Sequence, residues 1–206
     1  MLNTVQKRVL AILLLLMIII TMFASYSRYV DSKNYNDFVL KRNNEKKQSF
    51  EKIVQLYNNK LEVFARDYSV WDDMVKFIDT RDSVWVHDNV DMFLDEFSAD
   101  SYWIFDAEFN VVHSNNRLGS AGIKNSPLTA EQLKKLFSDS SFCSFFIRTE
   151  KGYFKIKGAS VHKTVDIDRK KLPLGYLLVG KDWNDNVLND LSLISDTKIE
   201  LYKEDR

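Results

Sequence analysis

The sequence predicts an α+β protein: an antiparallel sheet with helices packed on it, carried by a long N-terminal helix that continues from a transmembrane helix. Three observations predict it. Residues 1–26 hold no acid and only two bases, Lys7 and Arg8, around an apolar run. All six glycines and both prolines fall after residue 118, so the first part lacks strong breakers and the second is punctuated by turns. Between these regions large apolar residues recur at the helical period.

The 206 residues carry 29 Lys+Arg against 29 Asp+Glu, a balance without the concentrated basic face that nucleic acid requires. At 28% charged and 45% hydrophobic residues the chain can build a packed core. A single cysteine, Cys143, excludes an internal disulfide and the cysteine clusters of zinc and iron–sulfur sites; it alternates with apolar neighbours and reads as a small core residue.

The apolar run comes first. Val9 to Ala24 reads VLAILLLLMIIITMFA, and its extension to Tyr26 gives 18 residues. That is about 27 Å of helix, close to the ~30 Å hydrocarbon core. Tyr26 and Tyr29 suit the membrane interface. Met22-Phe23-Ala24 puts a large residue where a signal-peptide cleavage site needs a small one, so an uncleaved anchor is expected. Arg28, Lys33, Lys41 and Arg42 outnumber Lys7 and Arg8, but long domains translocate largely regardless of such charge. The expected organisation is a cytoplasmic tail (1–8), a transmembrane helix (9–27), a helical stalk (28–49) and an extracytoplasmic domain (50–206), in a single-pass membrane protein.

Beyond the polar stretch 41–47, Phe50, Tyr57, Phe64 and Trp71 recur every seven residues, with Val54, Leu61, Tyr68 and Val75 each four later. One helix carrying this stripe is expected to run past Trp71. Asp72 would then lie on the apolar face, where a carboxylate is costly unless paired. It either pins the helix to a neighbouring strand or meets a ligand; Lys155 and Lys157 are candidate partners. Asp73 turns toward solvent.

The remaining elements follow in order. Ser101–Phe105 and Val111–Ser114 are strands about a turn at 106–110. Thr129 to Gln132 is a capping box opening a helix through Phe137. Phe142–Arg148 and Tyr153–His162 form a second hairpin across Glu150-Lys151-Gly152, and Leu174–Lys181 is an apolar central strand. Asp182 is expected to cap a helix over 183–193, and Lys198–Tyr202 to form a final strand. The order is that of a PAS-like sensory sheet.

DYSVWDDMVKFI at 67–78, WVHDNV at 85–90 and YWIFDAEFNVV at 102–112 resemble the fourth class of CHASE domains, extracellular sensors of bacterial histidine kinases and cyclases. That family shows a D-aromatic-x-x-W-D-D helix, an Asn about sixteen residues on, a hairpin with a Gly-containing turn, and a closing G-x-L-x-x-G-[RK] strand with a helix. Asn89 and Gly175 to Lys181 match; Phe109-Asn110 replaces the turn glycine, a mild departure because Asn tolerates positive φ. The resemblance covers about 50–202 and implies a PAS/Cache-like, non-catalytic ligand-sensing domain. With the place of Asp72 on the apolar face, the motif makes Tyr68, Trp71, Asp72, Asp73 and Asn89 the candidate ligand-binding residues; Tyr68, Trp71, Asp72 and Asn89 are expected to converge near one end of the sheet, with Asp73 supporting them. The expected signal is a small molecule or a periplasmic protein, and the expected working unit a homodimer. Such receptors return through a second membrane helix to an output domain, whereas this sequence closes at Lys203-Glu204-Asp205-Arg206. A truncated or split receptor and a stand-alone anchored sensor are both consistent with that ending.

Enzyme motifs fail on their own residues. His87, His113 and His162 lack HExxH spacing. Gly158 to His162 approaches G-x-S-x-G but ends in His within a strand. Asp182 to Leu193 lacks the Gly and terminal Glu of a calcium loop, and 119–122 lack the phosphate-loop lysine. No catalytic residue, metal site or cofactor is expected. The competing reading is an anchored structural or envelope-assembly protein without a ligand.

Overall fold

The computed structural model describes residues 4–119, 123, 125–149 and 152–200. The expectations for Glu150-Lys151, for 120–122 and for everything past residue 200 lie outside them. The chain divides into two units, Met1–Glu51 and Lys52–Arg206.

Helix α1 spans Thr4–Tyr68 and runs through both units. In the first unit its side chains from Ile12 to Phe23 are exposed, as are 41–47. In the second unit α2 (Asp72–Thr80) and α3 (Ser83–Asn89) follow, with a 3-10 turn at Asp91–Phe93. Then come β1 (Ser101–Asp106), β2 (Val111–Asn116), α4 (Ala130–Leu136), β3 (Phe142–Thr149), β4 (Gly152–Val161), β5 (Gly175–Trp183) and α5 (Asp185–Ser195). The strands form one antiparallel sheet in the order β2-β1-β5-β4-β3.

The sheet is covered on both faces, which is why β1 and β5 read as continuous apolar runs rather than alternating ones. On one face Tyr102, Ile104, Ala159, Val161, Leu177 and Val179 pack with Leu61 and Phe64 of α1, Met74, Phe77 and Ile78 of α2, and Val86 of α3. On the other, Trp103, Phe105, Phe154, Ile156 and Leu178 pack with Leu133 of α4 and the partly buried Phe109, Leu118 and Ile123. A third cluster joins Trp183, Val187 and Leu191 to Ile53, Val54 and Tyr57. The helical stripe thus serves two clusters in turn.

Three expectations are corrected, and the position of one positive φ is fixed. Helix α1 stops at Tyr68, and Asp72 opens a new helix, so the single stripe is broken. Asp182 and Trp183 belong to β5 because their backbones pair with β4; the cap of α5 is Asn184, whose side chain accepts from the Asn186 and Val187 amides. Residues 198–200 form no strand. In the β1–β2 turn the positive φ falls on Phe109 (65°), not Asn110. The reason is Asp106, whose carboxylate takes the Glu108 and Asn110 amides and the Asn110 side chain, locking the loop so that the residue between them turns left-handed. Stacking of Phe109 on Tyr176, centroids 4.2 Å apart, opposes the ~1–2 kcal/mol cost. The capping box stands: Thr129 N–H donates to Gln132 Oε1 (2.9 Å) and Gln132 N–H to Thr129 Oγ1 (3.3 Å).

Candidate functional site: the joint at the end of α1

Three residues leave the helical path between α1 and α2. Ser69 is fully buried, and its hydroxyl donates to the Arg66 carbonyl (2.9 Å), satisfying one acceptor released at the helix end. Val70 forms a parallel bridge with His162, whose N–H donates to the Ser69 carbonyl at 2.8 Å. Trp71 is extended (φ −148°, ψ 123°), and Asp72 Oδ1 then accepts the Thr164 amide at 3.0 Å. The last turn of α1 is tied in this way to the end of β4 and the loop beyond it.

A polar network lies behind the tie. His162 Nε2 is 3.0 Å from Ser160 Oγ, and His162 Nδ1 is 2.8 Å from Asp166 Oδ2. Asp166 also accepts the Lys170 and Lys171 amides. Burial works against its charge, but the bonds from His162 and these amides prevail and hold the carboxyl below its ordinary range. The distances match a nucleophile, base and orienter. Their exposures are 3%, 2% and 8%, so the hydroxyl is closed to any substrate and the array acts as a brace.

Arg169 completes it. Its guanidinium donates to the Ser160 carbonyl, to Ser69 Oγ (2.7 Å) and to the Arg66 carbonyl (3.4 Å). Arg169 and Arg66 both pack on the Phe142 ring, at 4.4 and 4.1 Å from its centroid. Burial, and then the neighbouring Arg66, bring Arg169 down to about 10. Arg66 in turn donates to Glu62, which also accepts Lys157, each at 2.9 Å. An open cleft of about 380 Å³ is lined by Arg66, Asp67, Val70, Phe142, Thr164, Ile167 and Arg169.

The family model of the CHASE4 domain matches residues 53–202. The chain belongs to the CHASE4 family. The same fold is found in the Vibrio cholerae LuxQ periplasmic domain, at TM-score 0.54 and 15% identity over 74% of this chain and 69% of that one. A second LuxQ periplasmic-domain structure gives 0.52 and 15% over 74% and 70%. The sensor domain of the V. cholerae histidine kinase DctB gives 0.54 and 14% over 78% and 60%. No curated protein matches the sequence. CHASE4 domains are sensory rather than catalytic, and the chain accordingly contains a receptor-type sensory domain.

Within this CHASE4 domain the motif residues build the joint. Tyr68 packs edge-on against Phe64 (4.7 Å) and Trp71 (5.7 Å). Trp71 meets Trp85 of α3 at 5.1 Å, and Asn89 donates its side-chain amide to the Trp85 carbonyl at 2.9 Å. Tyr68, Trp71 and Asn89 are therefore connected through α3. Asp72 is not on that apolar face: the break at 69–71 resets the helical phase, leaving it exposed and held by Thr164. Neither lysine meets it, since Lys157 pairs with Glu62 and Lys155 lies over the Phe146 ring (4.2 Å). Asp73 is exposed in the first turn of α2, beside Asp72. The closing glycines are steric: a Cβ on Gly175 would fall on the Phe105 carbonyl oxygen, and one on Gly180 on the Phe154 ring.

Sequence reasoning missed Asp166, Arg169 and the pairing of Ser69 with His162. Ser160 and His162 at i, i+2 on one strand were the only visible signal. Asp91 was missed as well; its Oδ1 accepts Tyr102 Oη and Asn115 Nδ2, both at 2.6 Å. Burial and then that carboxylate raise the Tyr102 hydroxyl far above its ordinary value.

Proposed function

We propose that the chain is the extracytoplasmic sensing part of a membrane-anchored bacterial receptor. Residues 1–8 stay in the cytoplasm, 9–27 cross the inner membrane once, and the CHASE4 domain reads a small molecule or periplasmic partner, working as a homodimer. The observation that carries this reading is a CHASE4 match beginning at residue 53 on the same helix whose N-terminal part is long and apolar enough to cross a membrane. An occupant shifts such a receptor only by binding two conformations with different affinity. The joint at 69–72 supports α1 as the moving element, because whatever displaces the 162–171 loop pulls on the last turn of that helix. A piston or rotation of α1 passes the change toward the membrane and the output domain.

Alkaline phosphatase fused after Arg206 is expected to be active in the periplasm, and the protein to remain in membranes washed with carbonate. An inactive fusion, or a soluble product beginning near Ser25, overturns the reading.

A further inference from the structure

The cleft beside the joint holds more positive donor capacity than its own side chains use. Arg66 spends only its Nε on Glu62, and its two terminal nitrogens carry no hydrogen bond to any described residue. Arg169 is fixed by the Ser160 and Arg66 carbonyls and the Ser69 hydroxyl, which leaves its Nε unengaged by any described residue. Both guanidiniums rest on one phenyl ring, and Arg66 is among the charges that make protonation of Arg169 harder. Two like charges that border one cleft gain from an anion within reach of both. A planar fork with free N–H groups suits a carboxylate in particular, which it can grip with two parallel bonds.

Apart from one acid, the rest of the lining is apolar or weakly polar. Val70, Phe142 and Ile167 face the same cleft, and the acid among its lining residues, Asp67, is exposed. Arg66 and Phe142 are shared with a smaller adjoining hollow of about 160 Å³, lined also by Ala65, Cys143 and Gly158 and by the polar Ser144 and the paired Glu62 and Lys157. A bare inorganic anion would leave these surfaces wet, whereas an organic one covers them.

We propose that this cleft binds a small organic anion, a carboxylate on an apolar body, gripped by Arg66 and Arg169 over the Phe142 ring. The proposal names the ligand class for the sensing function above and rests on it. An occupant would touch Arg66, Asp67 and Val70 on the α1 side and Thr164, Ile167 and Arg169 on the loop side. It would therefore bear on the contact through which the loop holds the end of α1.

The test uses the full chain in detergent, with sodium benzoate as probe at about 20 mM. Sodium phosphate, sodium chloride of equal ionic strength and benzyl alcohol serve as controls. Benzoate is expected to raise the melting midpoint by roughly 2–4 °C, and the controls by none of that. Arg66→Gln is expected to abolish the rise without unfolding the domain, because that side chain is 49% exposed. No shift with benzoate, an equal shift with phosphate or chloride, or a shift retained in Arg66→Gln overturns the site. An active phosphatase fusion without a benzoate shift sinks the site alone. A benzoate shift lost in Arg66→Gln, with an inactive fusion, supports the site while sinking the receptor topology.

Discussion

Asp166 accepts hydrogen bonds from His162 and from the amides of Lys170 and Lys171, whereas Asp72 accepts one, from Thr164. Asp166→Ala leaves a buried imidazole N–H and two part-buried amides without their acceptor. It should cost about 2–3 kcal/mol in urea unfolding, since each orphaned buried group costs ~1–3 kcal/mol. Asp72→Asn keeps an oxygen for the Thr164 amide at an exposed position and should stay within about 0.5 kcal/mol of the parent. Equal losses would show that the weight of the joint lies on the family motif rather than on the network behind it. Glu62 supplies a pH dependence. Hydrogen bonds from Lys157 and Arg66 lower its carboxyl in the folded state. A group whose folded value lies below its unfolded one, near ~4.3 for Glu, stabilises above that value and loses the contribution as pH falls through the folded one. The stability of Glu62→Gln should therefore fall less than that of the parent between about pH 5 and pH 3, read from urea midpoints.

The elements obey local rules wherever their neighbours are local. Asn184 and Thr129 cap α5 and α4 through bonds within three residues, and Asp106 shapes its turn through bonds within four. Strand β5 is different, because its residues are chosen by what crosses them. Gly175 sits against the Phe105 carbonyl of β1 and the Ile78 side chain of α2. Backbone cannot give way as a side-chain tip can, so Gly175→Ala should destabilise by about 1–3 kcal/mol, seen as a lowered melting midpoint. Helix α1 is likewise two things in turn. From Ile53 to Tyr57 it packs with Trp183, Val187 and Leu191; from Leu61 it enters the sheet core, where Leu61 and Phe64 are 2% and 0% exposed.

For the whole molecule, this division means that the CHASE4 unit should fold without the first unit. A fragment starting at Lys52 is expected to melt cooperatively. One starting at Glu62 lacks Ile53, Val54, Tyr57 and Leu61, each large side chain contributing roughly 1.5–3 kcal/mol when fully buried, and should not. Circular dichroism melts of the two decide it: equal cooperative transitions would show that residues 53–61 are not part of the core.

What the sequence determined by itself was whatever is written in short range or in hydrophobic period. The membrane-length apolar run, the stripe from Val54 to Phe64, all five strands of the sheet and the capping box were legible because period, breakers and caps act within a few residues. The family motif was legible too, though its part in the structure was not. Periodicity carries a helix straight through Ser69-Val70-Trp71, and nothing within those residues says otherwise. The break exists because His162, 93 positions later, bonds the Ser69 carbonyl, and Arg169 holds the Ser69 hydroxyl. Only the tertiary structure decided that Asp72 faces solvent, that Asp166 and Arg169 brace the joint, and that two arginines share one ring. Each depends on partners brought together by the pairing of β3, β4 and β5, and a carboxylate or guanidinium takes its role from the charge and burial around it rather than from its neighbours in sequence.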